Sequence, residues 1–180
     1  MSTLRLFFAL QPALEQNTAL AAYVAPLIAQ LGVQAAPPEN LHATLCFIGA
    51  IESERLDALR AAAASLRGRP IRLTFDALEY WETPKILCAT ASRDSSSATE
   101  LSIALGEAAV AAGFSPDIKP FRAHVTLARK ISAAQAATVP WPLPLMPPIA
   151  VRSDKFLLMS SRREGDRSIY SAVDCWPLYD

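Results

Sequence analysis

Histidine is nearly absent from this chain: there are two in 180 residues, His42 and His124. Cysteine is almost as scarce. Cys46, Cys88 and Cys175 are odd in number, far apart and without a Cys-x-x-Cys pair, so neither a disulfide framework nor a thiolate metal cage is expected. No apolar run approaches the roughly eighteen residues of a membrane-spanning helix. The apolar start at residues 6–10 is too short for a signal core and is broken by Gln11-Pro12. Net charge is missing too, with Lys+Arg and Asp+Glu both at 17. That balance lacks the basic footprint of a protein lying along a duplex and leaves room only for a local basic cleft. The GxxxxGK[ST] phosphate loop is absent, and Ser160-Ser161 lacks the flanking glycines of a nucleophile elbow. No His clusters with Asp or Glu at ligand spacing, so no metal site and no cofactor are expected. The expectation is a soluble cytoplasmic protein with no membrane segment, holding any nucleic acid by its end.

What is present is a composition for folding: 52% apolar and 19% charged residues in a length that suits one domain. Residues 4–10 read as a strand. A helix follows from Pro12, kinked near Pro26 and stopped by Gly32. Beyond the Pro37-Pro38 loop, residues 41–48 read as a strand ended by Gly49. Residues 53–66 then form a helix capped by Ser53, and residues 71–78 a third strand. The same order recurs in strand 85–91, helix 98–112 stopped by Gly113, strand 121–130, a short helix from Ser132 and strand 151–159. The Pro-rich stretch 140–148 is an extended connector, and residues 156–161 and 168–175 form a hairpin. From Gly32 to His42 is ten positions, and from Gly113 to His124 eleven. The expectation is one bilobal domain, 1–180, with an internal pseudo-duplication at about 1–80 and 85–160 and a closing hairpin to 180. Its two lobes face each other across a cleft.

Both histidines open the tetrapeptide His-x-Thr-Leu: His42-Ala43-Thr44-Leu45 and His124-Val125-Thr126-Leu127. On a strand, side chains i and i+2 share a face, so each strand presents an imidazole beside a hydroxyl. A histidine pair supplies one acid and one base near neutral pH, and threonine hydroxyls donate to anionic oxygens without adding charge. A phosphodiester needs those groups: donors for two non-bridging oxygens, a base for the attacking water and an acid for the leaving oxygen. Strict alternation also puts Cys46 on the His42 face and Arg122 on the His124 face, where Arg122 could bind phosphate, while it turns Arg129 away. Arg162, Arg163 and Arg167 read as a solvated turn.

The run Pro38-Glu39-Asn40-Leu41-His42-Ala43-Thr44-Leu45 with Phe47-Ile48-Gly49, and the run Phe121-Arg122-Ala123-His124-Val125-Thr126-Leu127-Ala128-Arg129, resemble the two-histidine phosphoesterase superfamily. They are most similar to its RNA 2′,3′-cyclic phosphodiesterases, once called 2′-5′ RNA ligases. Arg5 to Leu10, Tyr80-Trp81, Pro84-Lys85 and Ser160 through Tyr170 to Leu178 extend the likeness over nearly the whole chain. The resemblance implies an α+β fold of two pseudo-symmetric, antiparallel-rich sheets around a central cleft, with helices outside. It also implies a monomer that opens 2′,3′-cyclic phosphates at RNA or oligonucleotide ends, or on nucleotides, to 2′-phosphates without metal. His42 would then be the proton donor and His124 the acceptor, with Thr44, Thr126, Arg122 and Arg129 as substrate contacts. Cys46 replaces a common basic residue of the family, Ala123 a proline and Cys88 an aromatic. Two alternatives stay open from sequence: an RNA-end binding module without turnover, and RNA joining in the reverse direction.

Overall fold

The computed structural model describes residues 3–93, 95–165 and 167–179. Eight strands and four helices run in the order β1 (Thr3–Leu10), α1 (Leu14–Leu31), β2 (Ala43–Glu52), α2 (Leu56–Ala64), β3 (Ile71–Trp81), β4 (Ile86–Thr90), α3 (Ser96–Ala111), β5 (His124–Arg129), α4 (Ala133–Ala136), β6 (Leu143–Ser153), β7 (Lys155–Glu164) and β8 (Arg167–Pro177). They make two four-stranded sheets, ordered β2-β1-β7-β8 and β5-β4-β3-β6, and every pairing in them is antiparallel. The expected α+β architecture of two antiparallel sheets is present.

The two long helices end alike because their glycines allow the same turn. Gly32 (φ 63°) and Gly113 (φ 79°) both occupy the left-handed region. Gly32 N–H donates to Ala29 O while Val33 N–H reaches Ile28 O, and Gly113 N–H donates to Val110 O while Phe114 N–H reaches Ala109 O. This double bond pattern satisfies carbonyls that a helix end would otherwise orphan. In α1 the buried residues Asn17, Leu20, Val24, Ile28 and Leu31 keep the three-and-four spacing of one face, and Pro26 lies on the exposed side within a continuous helix. The short helix α4 opens on a Ser132–Gln135 capping box. Ser53, expected to cap a helix, instead begins a 3-10 turn, and α2 starts at Leu56.

The sequence-based reading put three strands inside each half; the sheets do not. β3, from the first half, pairs with β4 in the second sheet, and β7 pairs with β1 in the first. Each half therefore lends a strand to the other lobe. The single strand expected at 151–159 is broken at Asp154, where the chain leaves β6 in one sheet and enters β7 in the other. The Pro-rich connector is itself part of β6. That strand lies at a sheet edge, where Pro144, Pro147 and Pro148 need no second ladder of bonds. Gly49 does not end β2: with φ 90° it sits beside a bulge, and the strand runs on to Glu52.

One continuous core cluster draws buried side chains from both sheets and from α1, α2 and α3. Phe156 is fully buried, stacks on Trp176 across the β7–β8 pair at 5.2 Å and meets Phe8 edge-on at 6.2 Å. Phe156→Ala should cost about 3–5 kcal/mol of stability, read as a lower urea midpoint with an unchanged slope.

Candidate active site

The two motif strands, β2 and β5, are edge strands of the two sheets and pack against one another. Each carries a bulge at the same motif position. On β2 the partners shift between Phe8↔Cys46 and Ala9↔Thr44, so Leu45 is left out of the ladder. On β5 they shift between Leu87↔Ala128 and Cys88↔Thr126, so Leu127 is left out. The leucine that closes each His-x-Thr-Leu is thus the extra residue, and beyond it the alternation of faces reverses. Cys46 is consequently buried in the core rather than beside His42, and Phe47 takes the cleft position. Ala128 is buried in the same way, and Arg129 turns into the cleft. Both departures from simple alternation have this one cause. Cys88, also buried, has its sulfur 3.9 Å from the Thr126 hydroxyl.

The carbonyls that the bulges free are taken up from the opposite half of the chain. The buried Ser102 of α3 donates its hydroxyl to Leu45 O at 2.6 Å, and Ala36 N–H donates to Leu127 O at 2.7 Å. Nothing in the sequence marks Ser102, one serine in an Ala/Leu-rich helix.

Each imidazole is anchored identically. His42 Nδ1–H donates to Asn40 O at 2.7 Å and His124 Nδ1–H to Arg122 O at 2.8 Å, in both cases to the carbonyl two residues upstream. That bond selects the tautomer and leaves Nε2 as the ring nitrogen free for chemistry. The loop bearing Asn40 is itself pinned by the buried Asn17 of α1, whose amide donates to Pro38 O at 3.0 Å and Leu41 O at 2.9 Å. The environments of the rings differ. His42 lies between Phe7 and Tyr170, with ring centroids 4.9 Å from each, whereas His124 packs on Trp81 at 4.6 Å. Burial pushes the His42 pKa down to about 4, helped by the charges of Arg129 and His124 and opposed by the Asn40 carbonyl. Burial also lowers that of His124, with Arg122 and Arg129 adding to it and the Arg122 carbonyl opposing.

A cavity of about 430 Å³ opens over His42 and Thr44 and is walled by Phe47, Tyr170 and Arg129. Arg129, from the other lobe, extends its guanidinium to the Tyr170 hydroxyl at 3.4 Å. Its charge acts on both imidazoles. Arg122, whose charge also acts on His124, has its guanidinium held by both oxygens of Glu79 at 2.6 and 2.7 Å and lying over the Trp81 ring at 5.0 Å. Arg122, which the sequence placed where it could bind phosphate, thus has its charge paired with Glu79, and it gives His124 a backbone carbonyl. Arg162 and Arg163, expected to be only a solvated turn, lie within β7 and line the same cavity farther along. The side chain of Arg167 lies outside the described residues.

Glu79 is a residue that motif reading passed over. It accepts from Trp81 Nε1 at 2.8 Å and Thr90 Oγ1 at 3.0 Å as well as from Arg122. Burial alone would raise its pKa, but these donors hold it below the usual carboxylate value. The available signal was its position two residues before Trp81 on β3, which puts both on one face.

With only two histidines to resolve, an NMR titration reads the site directly. Both should titrate below 6.5, His42 at about 4. Glu79→Gln, by removing the charge that compensates Arg122, should lower His124 further and leave His42 in place. A His42 titrating at or above 6.5 would contradict the burial described.

Two backbone-anchored imidazoles, each with a motif threonine, at the facing edges of two interlocked sheets define a two-histidine phosphoesterase. The chain belongs to the LigT like Phosphoesterase family, whose model matches residues 9–87 and again residues 93–170. It is 28% identical over 143 residues to the RNA 2′,3′-cyclic phosphodiesterase of Escherichia coli strain K12, spanning 78% of this chain and 77% of that one. To the RNA 2′,3′-cyclic phosphodiesterase of Archaeoglobus fulgidus it is 28% identical over 113 residues, spanning 59% and 63%. The crystal structure of E. coli LigT complexed with 3′-AMP matches with a TM-score of 0.86 at 25% identity, over 99% of this chain and 100% of that one.

Proposed function

We propose that this protein hydrolyses 2′,3′-cyclic phosphate ends of RNA to 2′-phosphates by acid–base catalysis between His42 and His124. The observation that supports the reading is the matched Nδ1 anchoring of the two rings, which leaves each Nε2 free, with the charge of Arg129 acting on both. His124 Nε2 takes a proton from water as the oxygen attacks phosphorus. His42 Nε2–H gives a proton to the 3′ oxygen as its bond to phosphorus breaks. Thr44 and Thr126 donate to the non-bridging oxygens, and Arg129 compensates the charge that grows on them. The two relatives named RNA 2′,3′-cyclic phosphodiesterases and the relative crystallised with 3′-AMP support the substrate class. A monomer is part of this reading. Free thiols, including the exposed Cys175, suit a cytoplasmic setting, and among the described residues no helix is long and apolar enough to cross a membrane.

Against an oligonucleotide ending in a 2′,3′-cyclic phosphate, His42→Ala and His124→Ala should each lose about 10²–10⁴-fold in kcat, with the double variant little worse than either. Thr44→Val and Thr126→Val should cost about 1–3 kcal/mol in transition-state binding. A substrate with a better leaving group at the 3′ oxygen should rescue His42→Ala more than His124→Ala. The opposite pattern would exchange the two roles, and retained binding without turnover in the wild type would leave an RNA-end binding module.

Two imidazoles titrating at the ordinary value of about 6.5 would put the optimum near neutral. Burial moves it. At pH 7 the free site holds both rings mostly neutral, supplying a base but little acid, so kcat/KM should rise as pH falls below neutral and drop once both rings are protonated. A bound phosphate anion favours the charged form of each ring, so the kcat profile should lie at higher pH than that of kcat/KM. Coincident profiles with a neutral optimum would contradict this assignment.

A further inference from the structure

We infer that the cleft holds a second anion site, built on Arg5 and Arg163, that takes the 5′-phosphate of the terminal nucleotide. In an RNA this is the phosphodiester leading to the rest of the chain. The inference rests on the reading of the His42 end as the seat of the cyclic phosphate.

The cavity that contains His42, Thr44 and Arg129 continues without a break to Arg5, Ser161, Arg163 and Ser168. At about 430 Å³ it has the size of a pocket for a whole nucleotide rather than for a five-membered phosphate ring alone. Strand register sets the spacing within it. The Tyr170 ring, 4.9 Å from the imidazole of His42, belongs to the pair Ser161↔Tyr170, and the β1–β7 pairing Leu6↔Ser160 brings Arg5 alongside that row. The next pair on the same face is Arg163↔Ser168, a two-residue step of roughly 7 Å farther along. That step is comparable to the distance between successive phosphates on one strand.

The charges at the far end have no internal use. Among the described residues no carboxylate lies within ion-pair distance of Arg5 or Arg163, and the guanidinium of Arg5 is held over the Phe47 ring at 4.7 Å without being neutralised. Arg162, at the same end, is only loosely approached by Glu164, at 4.0 Å. A chain of zero net charge has thus gathered uncompensated cations around one cavity. The cyclic phosphate is a monoanion already faced by Arg129 and the two motif threonines. The remaining arginines, with the hydroxyls of Ser161 and Ser168, match a second phosphate on the other side of the same ribose. Phe7, Phe47 and Tyr170 supply the apolar floor between the two ends.

The test compares adenosine 2′,3′-cyclic phosphate with the same molecule carrying a 5′-phosphate. The wild type should favour the phosphorylated substrate in kcat/KM by roughly tenfold or more, through charge-assisted hydrogen bonds. Rising salt should erode that preference. Arg163→Gln and Arg5→Gln should each collapse the ratio toward one by losing rate on the phosphorylated substrate only. No preference in the wild type, or equal losses on both substrates, would overturn the inference. Absence of turnover on either substrate would instead count against the proposed reaction. For that case calorimetric binding of adenosine 2′-phosphate and adenosine 2′,5′-bisphosphate decides separately. Tighter binding of the bisphosphate that is lost in Arg163→Gln supports the second site, and equal affinities overturn it.

Discussion

The carbonyls of Leu45 and Leu127 are the points on which this site depends. Each is excluded from its ladder by a bulge, and a buried backbone oxygen without a donor would cost about 1–3 kcal/mol. Each finds its donor in the opposite half of the chain, Leu45 from Ser102 and Leu127 from the Ala36 amide. A third bond of this kind runs from Asp117 N–H to Phe47 O at 2.8 Å. Ala36 lies in the loop that leads to His42 yet is bonded to the strand of His124, and Asp117 lies in the loop that leads to His124 yet is bonded to the strand of His42. The separation of the two imidazoles is therefore fixed by backbone, and the exchange of β3 and β7 between sheets keeps one lobe from shifting without the other.

The same bulges decide which side chains accompany the histidines. One extra residue at the motif leucine converts a simple alternating strand into one in which positions two and five after the first motif residue both face the cleft. On β2 those are Thr44 and Phe47, and on β5 Thr126 and Arg129. The two motif strands thus present a hydroxyl at equivalent places, followed by a ring on one and a cation on the other.

Much of this was legible in the sequence. The repeated His-x-Thr-Leu, the glycine stops at Gly32 and Gly113 and the short loops after them report local conformation, and local conformation depends on neighbouring residues. The directions of Arg129 and Cys46, the setting of Arg163 and the lobe of β3 were misread because each depends on a partner distant in sequence. A bulge is a property of two strands in register, and alternation read along one strand cannot detect it. The destination of β3 depends on whether its edge meets β1 or β4, a choice that its own eleven residues do not encode. Glu79 shows a related limit: a carboxylate two residues before a tryptophan acquires its role only when Thr90 and Arg122 arrive from β4 and the loop before β5.

The surroundings of the two histidines are unequal. His42 is buried between two aromatic rings, and that burial, with the positive fields of Arg129 and His124 adding to it, holds its pKa at about 4. His124 rests on Trp81, with the nearby charge of Arg122 already matched by Glu79. A phosphate entering the cleft offsets the positive fields that act on both rings and so favours the protonated form of each. On the proposed chemistry the substrate's own charge therefore helps to supply the protonated ring that the free site lacks near neutral pH, at a site whose two histidines have different aromatic surroundings.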